Sequence, residues 1–135
     1  LRSGSQALLF SEVLNKSVGA FAAYNDEGDK RMTILNLDSL PQEFIWQDSI
    51  GLITKSLGAA AGSSRLYVNI DSVPPGGYST KYHSHSQQDE FFLVLEGTGT
   101  LLLNGENLPV TKGDFISKPA GKGVAHTFLT PAVTL

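Results

Sequence analysis

Residues 77–97 read GYSTKYHSHSQQDEFFLVLEG. Two of the three histidines in the chain, His83 and His85, sit two apart in this stretch, just before the polar turn Ser86-Gln87-Gln88-Asp89. An extended strand sends alternate side chains to the same face, so Gly77–His85 read as a strand projects both imidazoles to one side, with Ser79 and Lys81 beside them. Glu90 opens the next strand, where Glu90, Phe92 and Val94 share one face and Phe91, Leu93 and Leu95 take the other. Two imidazoles and a carboxylate can then converge across a hairpin. His126, in Val124-Ala125-His126-Thr127-Phe128, reaches the same point if the sheet closes on itself. Imidazole with carboxylate suits a divalent transition metal, with Fe, Mn and Ni favoured and Zn and Cu also accommodated, and leaves positions open for water or substrate. Taken alone, an HxH pair is often only a surface feature.

Outward from this stretch, short apolar runs alternate with turn signals at the spacing of a sandwich or barrel. The strands expected are Leu52–Ser56, Arg65–Val73, Gly77–His85, Glu90–Glu96, Gly99–Leu103, Leu108–Val110, Asp114–Lys118 and Val124–Thr130. Asn104-Gly105 is a strong hairpin signal, because both central residues of such a turn take positive φ. Glu96–Gly99 and Lys112–Asp114 mark two further turns. Trp46 falls in an upstream loop, Glu43-Phe44-Ile45-Trp46, as a packed anchor or a lid.

Toward the start of the chain, Phe10, Val13, Leu14, Val18 and Phe21 recur at steps of three and four, which predicts an amphipathic helix within Gln6–Tyr24. A pair of strands broken at Asn15 is the alternative, favoured by Gly19 and the β-branched valines. The chain opens on Leu1, and its single Met, Met32, follows the charged turn Asn25–Arg31. Residues 1–31 are therefore expected to be an extension, outside the core or covering its edge, and residues 32–135 the barrel domain.

Composition narrows the function classes. With 135 residues, of which 41% are apolar and 17% charged, the chain has the make-up of one globular domain. Its formal net charge of -3 lacks the electrostatic footprint of a nucleic-acid binder. No apolar run approaches a membrane span, and the first 30 residues lack a signal-peptide pattern, so the expected setting is cytoplasmic. With zero Cys, any metal must be held by His and carboxylate.

Gly77, His83, His85, Glu90 and Gly97 meet every position of a pattern that resembles the first signature motif of the cupin superfamily: G, five residues, HxH, three or four residues, E, six residues, G. The second motif, G, five residues, PxG, two residues, H, three residues, N, is similar to GDFISKPAGKGVAHTFLT, matched at Gly113, Pro119, Gly121 and His126. Here four residues separate Gly121 from the histidine, and Thr130 stands at the Asn position. The resemblance covers roughly residues 50–130. It implies an all-β double-stranded β-helix, a jelly roll with a pocket at one mouth, and His83, His85, Glu90 and His126 as the metal ligands. Only nine residues follow His126, where such barrels have further strands. The N-terminal segment, with residues 7–14 as a strand, is expected to cover that edge within the chain or in a partner, which favours a homodimer.

Lys81 is the cation expected beside the metal to meet an anionic ligand, and Phe92 and Phe128 the expected apolar wall, all three contacting substrate. The leading expectation is a metal-dependent enzyme acting on a small carboxylated or sugar-like molecule. Dioxygenase-like chemistry is favoured, the intact ligand set arguing for redox or Lewis-acid chemistry, and base-catalysed epimerisation is disfavoured because no general base beyond Glu96 is visible on the ligand strands. Decarboxylase and isomerase activities also occur on this fold. The rival reading is a non-catalytic small-molecule binding or sensing module.

Overall fold

The protein is described by a computed structural model over residues 7–15, 34–47 and 50–131, with 7–15, 46, 47 and 50 described through their backbone alone. Nine strands are present among these residues: β1 Ala7–Asn15, β2 Glu43–Gln47, β3 Ile50–Ser56, β4 Leu66–Val73, β5 Gln88–Glu96, β6 Thr98–Leu103, β7 Glu106–Thr111, β8 Phe115–Lys118 and β9 His126–Leu129. A short helix, α1 Leu57–Ala60, and a 3-10 turn at Leu37–Ser39 complete the regular elements. No helix among the described residues is long and apolar enough to cross a membrane.

The strands form two sheets, β2-β3-β4-β1-β5-β8 and β7-β6-β9. Isolated bridges Tyr78↔Leu129 and His83↔His126 lay the segment after β4 alongside β9. The inward faces meet in a core of Val73, Phe92, Val94, Leu101 and Phe128. On β5 the burial alternates, with Glu90, Phe92 and Val94 buried, as its period-two pattern predicts. The hairpin between β6 and β7 turns at Asn104 and Gly105, with φ of 48° and 84°, the positive values that the Asn-Gly signal requires.

Three expectations are corrected. At the start of the chain the helical reading gives way to its alternative, a strand ending at Asn15: β1 runs over Ala7–Asn15, antiparallel to β4 and to β5. Ladders on both sides satisfy its backbone groups, and this pairing outweighs the helical spacing of its apolar residues. Gln6 and residues 16–24 of that reading lie outside the described residues, as do the turn Asn25–Arg31 and Met32. Gly77–His85 is not a continuous strand but an irregular segment touching β9 at two bridges. Glu43–Gln47, read as a loop, is β2, paired with β3; the Trp46 side chain lies outside the described residues.

Candidate metal centre

His83 and His126 are bridge partners, with His126 N–H donating to His83 O at 2.9 Å and His83 N–H to His126 O at 3.4 Å. Their rings lie 5.1 Å apart, centroid to centroid. Glu90 enters from β5 in the other sheet, so the cluster spans the interior between the two sheets. His83, Glu90 and His126 each bring a donor atom within 4.8 Å of the others. His85 joins through His83, the two Nε2 atoms being 2.8 Å apart, and through Glu90, with Nε2 3.1 Å from Oε1. The irregular backbone after β4 still brings both imidazoles of the HxH pair to one point.

Local contacts hold this arrangement. His83 Nδ1 donates to Lys81 O at 2.5 Å, which leaves the Nε2 lone pair facing the cluster, the tautomer a metal ligand needs. Gly121 N–H donates to His85 O at 3.0 Å, and Ala120 N–H to Asp89 Oδ1 at 2.8 Å. These bonds pin the turn after β8 against the loop carrying His85. The two additional residues of that turn are accommodated by positive φ at both Gly121 and Gly123, 73° and 66°. Thr130, at the Asn position of the motif, donates through Oγ1 to Val73 O at 3.1 Å and ties the end of β9 to β4.

Lys118 was not singled out in the sequence. On β8 it is the direct partner of Glu90, and it is only 4% exposed. Its Nζ lies 2.6 Å from Glu90 Oε2 and 2.5 Å from His126 Nδ1. The first contact lies off the hydrogen-bonding direction, so Oε2 is buried with charge attraction and no hydrogen bond. The signal for Lys118 was the alternation of Phe115-Ile116-Ser117-Lys118, which puts Lys118 on the face of Ile116, a residue packed against the core.

Burial sets the electrostatics. His126 is held neutral, its pKa lowered from 6.5 to about 3 by desolvation first, then by the charges of Lys118, His83 and His85, against a hydrogen bond that the ring donates to the His83 backbone. His85 is lowered by desolvation, with Glu90 opposing through its charge. A neutral imidazole is the form in which histidine binds a cation.

A divalent ion fits this donor set. Donors around one ion at about 2.1 Å stand roughly 3.0 Å apart in an octahedron and 3.4 Å apart in a tetrahedron. The edges of 2.8 and 3.1 Å among His83, His85 and Glu90 match that spacing, and the Glu90 Oε2 lone pairs lack a hydrogen-bond donor.

Phe92 and Phe128 are buried, with ring centroids 4.8 and 6.2 Å from that of His126. Both also line an apolar cavity of about 400 Å³ that continues past Val94 and Leu101 toward β7 and β8. Lys81 has an exposed side chain; its carbonyl is the part that bonds His83. Glu96 is an exposed partner of Lys112 at 2.7 Å.

A family profile described as Cupin domain matches residues 69–133. The structure resembles that of a sugar phosphate isomerase of the cupin superfamily from Silicibacter pomeroyi, with TM-score 0.66 and 30% identity over 73% of this chain and 67% of that one. It also resembles a protein provisionally named a sugar phosphate isomerase from Acidithiobacillus ferrooxidans, with TM-score 0.70 and 28% identity, covering 78% of this chain and 70% of that one. An uncharacterised protein of Methanocaldococcus jannaschii is 37% identical over 49 residues, which span 36% of this chain and 39% of that relative's length. The two motifs, the jelly roll and these likenesses agree, and the chain belongs to the cupin superfamily.

Proposed function

We propose that this cupin is a metal-dependent enzyme acting on a small, anionic, sugar-like carbonyl compound, with isomerisation of a sugar phosphate as the favoured reaction. The observation that carries the reading is the convergence of His83, His85, Glu90 and His126, with the buried Lys118 against Glu90 and His126. The names of two solved relatives support the substrate class. When bound, a divalent metal supplies Lewis-acid polarisation of a hydroxyl or carbonyl oxygen; iron, manganese or nickel suits the donors best.

The chain's own residues supply the rest. The Phe92 and Phe128 rings back His126 and keep water from that side of the centre. Lys81 and Lys122 flank the histidines, one adjoining His83 and the other beside Gly121, which bonds His85. Both side chains are exposed, and in this reading they attract the anionic end of the substrate.

An oxygenase is the second reading, favoured by the two-histidine one-carboxylate spacing of His83, His85 and Glu90, an arrangement used by non-haem iron oxygenases. Metal analysis of protein purified without chelator, compared with His83→Ala, tests the shared premise. About one equivalent in the wild type and none in the variant is expected, whereas equal content in both counts against the centre. Incubating the metal-loaded protein with small aldose and ketose phosphates in D2O and following deuterium incorporation by NMR separates the reactions. Substrate-dependent O2 uptake without isomerisation would favour the oxygenase, and saturable binding without turnover a binding module.

A further inference from the structure

Strand β4 carries its polar residues on the face where a barrel strand ordinarily carries apolar ones. Val73, at its end, belongs to the core between the sheets. Alternation therefore turns Tyr67, Asn69 and Asp71 inward with it and sends Leu66, Val68 and Ile70 to the outer face. The ladders agree. Through β1, Tyr67 stands in the cross-strand row of Glu90 and Lys118, and Asn69 one row deeper, in that of Phe92 and Ile116. Residues in one such row share a face, and Glu90 and Phe92 are both buried in the interior.

A polar side chain on the inward face of a strand is costly unless it has a partner, and such departures from pattern mark functional sites. Asp71, the deepest of the three, has one, a hydrogen bond with Thr54. Asn69 is half-buried, and Tyr67, level with Glu90, is 50% exposed. Among the described residues neither of these two side chains has a hydrogen-bond partner. Neighbouring strands stand about 4.8 Å apart, so the backbones at Tyr67 and Glu90, with β1 between them, are about 10 Å apart. The interior is thus divided. Past Phe92 and Phe128 it is apolar and hollow, whereas at β4 it presents a phenol and an amide on the face that carries Glu90.

We propose that Tyr67 and Asn69 form a hydrogen-bonding wall for the hydroxyl groups of a polyhydroxylated substrate whose other end lies at His83, His85, Glu90 and His126. The proposal rests on the metal-dependent, sugar-directed reading above and assigns the residues that select a hydroxyl-bearing chain. A primary amide offers two donors and an acceptor, and a phenol one of each. That combination suits hydroxyl groups, which both donate and accept. Neither side chain brings a cation to the wall, so the substrate's negative charge is left to the exposed Lys81 and Lys122.

Two unreactive probes separate recognition of hydroxyls from recognition of charge. D-arabinonate 5-phosphate carries hydroxyl groups between its carboxylate and its phosphate, and 2-phosphoglycolate carries none. In calorimetric titrations of the Zn2+-loaded full chain, the arabinonate is expected to bind about tenfold more tightly than the glycolate, or better. Tyr67→Phe, which removes a single oxygen, and Asn69→Leu, which keeps the volume, should each weaken arabinonate binding about tenfold and change glycolate binding and Zn2+ content less than about twofold. In the wild type, the side-chain NH2 signals of Asn69, assigned through its backbone resonances, should shift with the arabinonate and stay in place with the glycolate. Equal affinity of the wild type for the two probes, variants that weaken both probes alike, or Asn69 signals unmoved by bound arabinonate would overturn the proposal and leave the metal-dependent reading standing. A wild type that takes up no Zn2+, or takes it up and binds neither probe, would overturn that reading and this proposal with it.

Discussion

Glu90 and Lys118 are direct partners across the β5–β8 ladder, and their side chains meet at 2.6 Å in a nearly solvent-free interior. A cross-strand pair shares one face by construction, so alternation on two strands suffices to bring these opposite charges together. Breaking such a pair leaves an uncompensated buried charge, which costs more than the pair itself contributes. In the metal-free protein, Glu90→Gln is expected to lose about 3–5 kcal/mol, and Glu90→Leu with Lys118→Met to recover most of it. Urea unfolding of the two variants and the wild type checks this, and a double variant no more stable than Glu90→Gln would contradict it.

Acid is expected to destabilise the metal-free protein through His126. Its pKa is lowered from 6.5 to about 3 in the fold, so between those values the unfolded chain binds a proton that the folded chain does not. Stability therefore rises with pH across that window and falls as pH drops through it. The whole window corresponds to on the order of 5 kcal/mol for His126, and His85 contributes in the same direction. Urea midpoints between pH 4 and pH 7 should climb in the wild type and climb much less in His126→Gln. A flat wild-type profile would speak against this environment for the ring.

Asp71 works in the opposite sense. Its carboxyl is raised above 3.8 by burial, partly offset by a hydrogen bond with Thr54, its direct partner across β3 and β4. The folded state holds a proton longer than the unfolded chain there, so stability from this group is present at low pH and lost as pH rises through the raised value. Asp71→Asn should accordingly melt higher than the wild type at neutral pH, with the gain vanishing toward pH 4. Thermal melts at the two pH values provide the comparison.

A chain beginning at Met32 would lack β1. That strand lies between β4 and β5 and forms a ladder with each, so its removal exposes two interior edges and separates β5 and β8 from the rest of the larger sheet. Loss of cooperative unfolding and formation of aggregates are expected, readable by circular dichroism and size-exclusion chromatography. A monodisperse, cooperatively melting Met32–Leu135 chain would place residues 1–31 outside the core.

Much of the molecule was legible in the residues themselves. Alternation on β5 assigns Glu90, Phe92 and Val94 to the interior, and Asn104-Gly105 marks its hairpin, because side-chain periodicity and positive φ are local properties. The HxH pair and Glu90 were readable as neighbours in sequence, although the strand read over Gly77–His85 is an irregular segment, and His126 was readable from its place in the second motif. The first segment was less legible: over Ala7–Asn15 the apolar spacing favours a helix, while the ladder partners that make it a strand lie more than 50 residues away in β4.

The sequence by itself read as a β-sandwich or barrel from short-range pattern, and its resemblance to the cupin motifs implied the double-stranded β-helix and the histidine and carboxylate donors. Only the tertiary structure decided how those donors are employed. Whether β8 lies beside β5, and so whether Lys118 stands against Glu90 and His126, depends on sheet order, which no local spacing encodes.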